Sequence, residues 1–188
     1  MLKKTFRIFI LFSGLLAALF PLTASSALAL DLENTVYLDL PSGRVVIQML
    51  PNIAPRHVAR IKELTRKGFY DGLAFHRVIP GFMAQTGDPL GNGSGGSGQE
   101  LNAEFSGTPH IRGTVSMARA TDPNSADSQF FICFAPAPFL NRQYTVWGQV
   151  VSGMEYVDKI KAGTHYNNGA VSNPTRIVRM RVASDVKP

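Results

Sequence analysis

The sequence has few of the residues that form disulfides or bind metal ions in small proteins. Its 188 residues contain one cysteine, Cys133, which excludes an internal disulfide. That cysteine lies in the apolar run FFICF (130–134), where we expect a buried, inert thiol and not a nucleophile. The four histidines do not stand at metal-ligand spacings, so the sequence predicts no metal site and no cofactor.

Hydrolase signatures are also missing. No G-x-S-x-G elbow is present, although a Ser/His/Asp hydrolase remains a weak alternative. His76 stands between Phe75 and Arg77, and strand alternation predicts that it faces the opposite side as a hydrogen-bonded core histidine.

The N-terminus has the pattern of a secretory signal peptide. Lys3, Lys4 and Arg7 precede an apolar run at 8–22, and Ala27-Leu28-Ala29 supplies a small-x-small cleavage site. We therefore predict a signal peptide at 1–29 with the cut after Ala29.

A membrane anchor is the alternative at this end of the chain. Pro21 and the Ser25-Ser26 pair shorten the apolar run below the ~20 residues that span a bilayer. No twin-arginine pair is present, which favours export in an unfolded state. We expect no membrane contact after cleavage, and a periplasmic location or an equivalent secreted one.

Acidic residues are fewer than basic ones, but part of the imbalance belongs to the leader. Removing 1–29 takes away three basic residues and no acid, so the net charge falls from +6 to +3. Nothing that remains resembles a basic stripe for nucleic acid, so no such partner is predicted. Residues 30–188 show no repeat or linker and are predicted to form one domain. We expect a monomer.

Many short strands and two helices are predicted in this domain. Residues 36–40 and 44–50 alternate around Pro41-Ser42-Gly43 as a β-hairpin. A helix should begin at Pro55 and end before Gly68, and a second should span 154–161. Further strands are expected at 75–79, 83–86, 113–117, 129–134, 145–151 and 175–182. This order favours a mainly β protein, a closed antiparallel barrel capped by two α-helices.

A glycine-rich loop contains a weak nucleotide motif. GNGSGG (91–96) matches G-x-G-x-x-G, but the motif must leave a strand and open a helix within a βαβ unit. No helical periodicity follows it, so a flexible or tightly turned surface loop is the better interpretation.

Two predicted strands place an amide beside an apolar side chain. Gln85 shares a strand face with Met83, and Gln129 shares one with Phe131. Arg77 lies among the same apolar neighbours, where an unpartnered charge is costly. An apolar pocket with a few converging polar groups is the default binding site, although both amides could instead cap a barrel rim.

Several long motifs together resemble the cyclophilin family. They are FHRVIPGFMAQTGD (75–88), GNGSGG (91–96), the stretches 116–118 and 128–132, Phe139-Leu140 and Trp147-Gly148, in the family's order and spacing. The resemblance covers about residues 34–183. It implies an eight-stranded antiparallel β-barrel closed by two helices and a peptidyl-prolyl cis–trans isomerase that needs no cofactor.

The resemblance also implies residue roles. Arg77 would be the catalytic arginine, with Gln85 orienting it or the substrate carbonyl. The residues that would bind substrate are Phe82, Met83, Gly93, Ala118, Arg119, Ala120, Gln129, Phe131, Phe139, Leu140 and Tyr144. The implied partners are unfolded or partly folded polypeptides that contain proline.

Three positions depart from the best-known eukaryotic pattern and resemble bacterial exported members. Phe139 stands where tryptophan is common, Tyr144 where histidine is common, and Arg119 where asparagine is common. The first change removes a donor that binds cyclosporin in the family, so weak cyclosporin binding is expected. A proline-peptide-binding chaperone or holdase that uses the same groove without turnover remains the alternative function.

Overall fold

A computed structural model of the chain describes residues 31–187. The predicted signal peptide at 1–29 lies outside the described residues. None of the helices within 31–187 is long and apolar enough to cross a bilayer.

The predicted hairpin is confirmed as the strands β1 (Thr35–Leu40) and β2 (Gly43–Met49). Val36 pairs with Ile47, and both side chains are fully buried, as period-two alternation requires. Gly43 has a φ of +144°, and a Cβ there would lie 2.6 Å from the Tyr156 ring. Only glycine therefore fits this turn.

The first helix is α1 (Pro55–Arg66), close to its prediction. Pro55 stands in the first turn, where a missing N–H costs nothing. Val58, Ile61 and Leu64 are buried on one face, and Gly68 follows with a φ of +68° that ends the helix.

The other elements follow the predicted order. They are β3 (Arg77–Ile79), β4 (Met83–Thr86), β5 (Thr114–Met117), β6 (Phe130–Cys133), β7 (Val146–Ser152), α2 (Met154–Val157) and β8 (Arg179–Val182). Of these, β4 has its predicted bounds, β7 is shifted by one residue, and the rest are shorter than predicted. The helix α2 is shorter than the predicted 154–161 because Lys159 and Ile160 hydrogen-bond three residues back. This tighter turn buries both Val157 and Ile160.

The predicted closed barrel is wrong. The eight strands form one antiparallel sheet in the order β3-β4-β6-β5-β7-β2-β1-β8, and its edge strands β3 and β8 do not pair with each other within the described residues. Residues 72–75 and 175–177 meet there through three backbone hydrogen bonds, around the isolated bridge Ala74–Arg176. A regular ladder is interrupted because Gly72 turns with a φ of +80° and Pro174 has no N–H donor. The sheet is an open, curled half-barrel.

Side-chain alternation gives the sheet two apolar clusters. Phe130 and Ile132 point into the main core, whereas Phe131 and Cys133 join a smaller cluster with Met83. Cys133 is buried, as expected, and burial raises the pKa of its thiol to about 12, which disfavours the reactive thiolate. The smaller cluster is the floor of the site described below.

The N-terminus of α1 is capped from a distant loop. Its N-cap residue, Ala54, has no side chain that can accept a hydrogen bond. Glu104 replaces that cap: its carboxylate accepts from the backbone N–H of Arg56 at 3.2 Å and of His57 at 3.1 Å, and it contacts His57 Nδ1 at 2.7 Å. Its side chain is only 8% exposed. Burial opposes its ionisation, but these hydrogen bonds outweigh burial and lower the pKa of Glu104.

We predict that Glu104→Gln lowers the free energy of unfolding at pH 7 by about 1–3 kcal/mol, because charge-assisted hydrogen bonds to the helix are lost. A depressed carboxyl pKa stabilises the fold above its unfolded value of about 4.3, and this contribution is lost as the pH falls through the lower folded value. The difference between wild type and variant should therefore narrow below about pH 4. Urea unfolding at several pH values measures it.

Exposed Glu155 provides the matched control. Glu155→Gln should change stability by less than about 0.5 kcal/mol. Equal stability of Glu104→Gln and wild type at pH 7 would contradict the capping role.

Candidate active site

One large pocket opens beside the smaller apolar cluster, with a volume of about 1090 Å³. It is lined by every predicted site residue except Ala120 and Gln129. Those two line an adjoining pocket of about 260 Å³, which shares Gln85, Gly93 and Arg119 with the first. The structure thus brings all the predicted site residues to one continuous groove.

The floor of the large pocket is apolar and closely packed. Met83, Phe131 and Leu140 are at most 6% exposed. Phe82 and Phe139 form its rim with ring centroids 5.4 Å apart, and Phe139 is 63% exposed. A floor of this kind accepts a small apolar ring and excludes water from it.

Arg77 stands at one side of this floor and is already held by protein groups. On the paired strands β3 and β4 it lies directly opposite Gln85, and its Nη1 donates to Gln85 Oε1 at 3.0 Å. Its Nε donates to the Asn168 carbonyl at 3.1 Å, and its Nη2 donates to Asn168 Oδ1 at 3.0 Å. Burial lowers the pKa of Arg77, but a guanidinium remains charged at any physiological pH.

A relay of amides runs from Arg77 to the glycine-rich loop. Gln85 Nε2 donates to Gln129 Oε1 at 2.9 Å, and Gln129 Nε2 donates to the carbonyls of Gly93 and Gly95 at 3.0 and 2.8 Å. Arginine can only donate and the carbonyls can only accept, so both ends fix the direction of the relay. Gln85 must therefore turn its oxygen toward Arg77.

The glycine-rich loop is tightly turned around an anion of its own. The carboxylate of Asp88 accepts from the backbone N–H groups of Leu90, Asn92 and Gly93. Burial by itself raises the pKa of Asp88, but these bonds outweigh burial and lower it. A Cβ on Gly95 would collide with this carboxylate. Because these N–H groups already hold a carboxylate, they are not offered to a phosphate, which counts against a dinucleotide site.

Arg119 and Tyr144 together form one wall of the pocket. Its guanidinium carbon lies 4.6 Å from the centre of the Tyr144 ring, and its Nε and Nη2 donate to the Gln143 carbonyl at 3.2 and 3.1 Å. Tyr144 in turn meets Phe131 edge to face, with centroids 5.9 Å apart. The stack ties the wall to the floor.

Comparison with known proteins identifies the family of this chain. Residues 35–182 match the family model of the cyclophilin type peptidyl-prolyl cis-trans isomerases. The chain belongs to the cyclophilin family. Its enzymatic class is therefore peptidyl-prolyl cis–trans isomerase.

Relatives of this cyclophilin carry the same name. A probable peptidyl-prolyl cis-trans isomerase of Brucella suis is 56% identical, with 88% of this chain and 89% of that protein covered. Peptidyl-prolyl cis-trans isomerase B of Bacillus subtilis is 44% identical, over 69% of this chain and 92% of the relative.

Solved cyclophilin structures share the fold. Cyclophilin AquaCyp293 of Hirschia baltica has a TM-score of 0.75 at 29% identity, and 85% of this chain and 77% of that one are covered. A Cryptosporidium parvum cyclophilin, solved in the presence of the dipeptide Ala-Pro, has a TM-score of 0.72 at 27% identity, covering 79% of this chain and 98% of that one.

In this cyclophilin the structure corrects the prediction for His76 and adds a partner to the prediction for Arg77. His76 is buried but lines the pocket, and neither ring nitrogen has a hydrogen-bond partner within residues 31–187. The prediction of a hydrogen-bonded histidine facing away from the site was wrong, because β3 begins only at Arg77 and strand alternation does not extend to His76. Gln85 was expected to orient Arg77 or the substrate carbonyl; in the structure it contacts Arg77, and Asn168 is a second partner that was not predicted.

Sequence reasoning missed the wall that adjoins Arg77. Asn167, Asn168, Ala170 and Val171 line the pocket there. The signal that could have found this wall is the Asn168-Gly169 pair, a dipeptide typical of turns that need a positive φ.

Proposed function

We propose that this cyclophilin accelerates X–Pro isomerisation by directing the Arg77 guanidinium at the prolyl nitrogen of the twisted amide, and that its clients are exported proteins. The observation that carries the first part is a charged donor held in place beside an apolar floor.

The reaction needs no nucleophile. Rotation about the peptide C–N bond must break amide resonance, a barrier of about 18–20 kcal/mol. In the twisted amide the nitrogen becomes pyramidal and regains a lone pair. A donor that reaches this lone pair binds the transition state better than either planar isomer, which is the requirement for catalysis.

The pocket supplies both a hydrogen-bond donor for the twisted amide and an apolar surface for the proline ring. Three of the five N–H groups of Arg77 are bound to Gln85 and Asn168, which leaves two for a substrate. The proline ring would lie on Met83, Phe131 and Leu140 and exclude water from the guanidinium. A preorganised donor is stronger in such a site than in water.

The flanking groove would hold the peptide loosely. Ala118 and Arg119 line both pockets and Ala120 lines the smaller one, and backbone groups around Arg119 would hold the residues before proline. Backbone contacts read no side chain, so we expect low selectivity beyond proline itself.

Export is supported by the leader pattern at 1–29. Unaided X–Pro isomerisation takes tens to hundreds of seconds and can limit folding. Proteins that cross a membrane unfolded must find their proline isomers afterwards, so a periplasmic isomerase would act on many clients. A holdase using the same groove would bind those clients without accelerating rotation.

Arg77→Ala should lower kcat/KM on a proline peptide by two to three orders of magnitude. This corresponds to a loss of about 2.7–4 kcal/mol of transition-state stabilisation, because one preorganised donor is lost. A protease-coupled assay measures turnover, and circular dichroism checks the fold. Exposed Arg179 on β8 gives the control Arg179→Ala, which should retain full activity. A folded Arg77→Ala variant with most of its activity would refute the mechanism. A wild type that binds the peptide without speeding its isomerisation would favour the holdase.

The mature protein should begin at or near Leu30, since the small residues at 27–29 form the cleavage site. Intact mass of the exported protein measures this directly. A membrane-bound chain that retains residues 1–29 would contradict the export proposal.

Cyclosporin should inhibit the wild type weakly, because Phe139 has no N–H to offer a carbonyl of the drug. An unpaired buried polar group costs roughly 1–3 kcal/mol, so Phe139→Trp should tighten inhibition by about one to two decades with turnover almost unchanged. Val178→Trp, at a 59% exposed position outside the pocket lining, controls for an added indole. Tight inhibition of the wild type, or no gain with Phe139→Trp, would show that Phe139 does not contact the drug.

A further inference from the structure

One edge of the Arg77 guanidinium, the edge that carries Nε and Nη2, is occupied by a single residue. Both nitrogens donate to Asn168: Nε to the main-chain carbonyl at 3.1 Å, and Nη2 to the side-chain Oδ1 at 3.0 Å. Two oxygens of one neutral residue thus take the place that a carboxylate usually takes on an arginine.

In two other arginines of the described residues, Arg44 and Arg66, the same edge meets a true carboxylate. Arg44 donates from Nε and Nη2 to the two oxygens of Asp39 at 2.6 and 3.0 Å. Arg66 does the same with Asp185 at 2.9 and 3.2 Å. Within residues 31–187, Arg77 forms no ion pair.

The backbone at Asn168 explains how one residue supplies both oxygens. Its φ of +55° is left-handed, a conformation that asparagine tolerates better than most residues and that lets its carbonyl and its side-chain oxygen meet the same guanidinium edge. The neighbouring Gly169 accepts a hydrogen bond from Val78 on β3 at 2.8 Å, and a Cβ on Gly169 would clash with Val78 and Ile79. The loop is therefore fixed to the strand that carries Arg77.

We infer that Asn168 is a positioning residue for catalysis, which fixes the Arg77 guanidinium through a neutral pair of oxygens and so leaves its charge uncompensated for the substrate. The inference rests on the role proposed for Arg77. A carboxylate at this position would hold the guanidinium equally firmly, but it would cancel much of the field that the twisted amide experiences at close range. The neutrality of Asn168 is therefore as important as its hydrogen bonds.

Two substitutions distinguish the effect of the Asn168 hydrogen bonds from the effect of its lack of charge. Asn168→Gly keeps the left-handed backbone and its carbonyl but removes Oδ1. Asn168→Asp keeps the size, both oxygens and tolerance of positive φ, and adds a negative charge. Asn173, which is exposed and has a φ of +49°, offers the matched controls Asn173→Gly and Asn173→Asp.

Isomerisation of a proline peptide should be followed for each variant by exchange NMR, which yields kcat and KM separately. We expect Asn168→Gly to lower kcat about three- to tenfold, as loss of one hydrogen bond predicts, with KM within about twofold. Asn168→Asp should lower kcat by about tenfold or more while its thermal stability equals or exceeds that of Asn168→Gly. Both Asn173 variants should match the wild type.

A purely structural role for Asn168 makes the opposite prediction for aspartate. Asn168→Asp would then restore the loop and keep wild-type kcat, and that result would overturn the inference. The double variant with Arg77→Ala tests whether Asn168 acts through Arg77. In the Arg77→Ala background, Asn168→Asp should cause no further loss of kcat. A further loss as large as the one in the wild-type background would also overturn the inference.

The outcomes distinguish this inference from the mechanism beneath it. If Arg77→Ala is inactive while both Asn168 variants turn over normally, the inference fails and the role of Arg77 remains. If Arg77→Ala is fully active, the proposed mechanism fails and the inference fails with it.

Discussion

The pairing of Arg77 with Gln85 across β3 and β4 is the contact on which the site depends. The two residues lie opposite each other in the strand register, so one hydrogen bond fixes the guanidinium and also sets the direction of the amide relay. A slip of one residue would turn Arg77 to the other face of the sheet. Gln129 of the relay to the glycine-rich loop contacts Gln85, and the Asn168 loop contacts Arg77.

The strands β4 and β6 are apolar on both faces. One face packs in the main core and the other forms the floor of the pocket, so the same strands serve both folding and the proposed binding of substrate. Ala84, Phe130 and Ile132 fill the main core, while Met83 and Phe131 on the other face floor the pocket. Both faces are apolar, so the strand sequences show little polar alternation. The second face is incompletely covered, and we attribute its remaining opening to the proline ring that it is proposed to bind.

Local signals in the sequence predicted the helices and strands. The features that were mispredicted or missed depend on contacts between residues far apart in the sequence. Pro55, Gly68 and the Pro41-Ser42-Gly43 turn fixed α1 and the hairpin because each acts through its own backbone. Barrel closure was mispredicted because it depends on whether residues 72–75 form a ladder with residues about a hundred positions later. The Arg77–Asn168 contact spans 91 residues, and no periodicity encodes it. The family resemblance predicted which residues would meet in the groove, but not that Asn168 would also hold Arg77.

The central claim is that Arg77 donates a hydrogen bond to the prolyl nitrogen in the transition state. The most direct test compares proline with 4-fluoroproline peptides, whose fluorine weakens that nitrogen as an acceptor, using both ring diastereomers to separate the effect of ring pucker. The measured quantity is the catalysed rate constant divided by the uncatalysed one. We predict that fluorination lowers this ratio for the wild type and leaves it unchanged for Arg77→Ala. An equal ratio for fluorinated and unmodified peptides on the wild-type enzyme would contradict the claim.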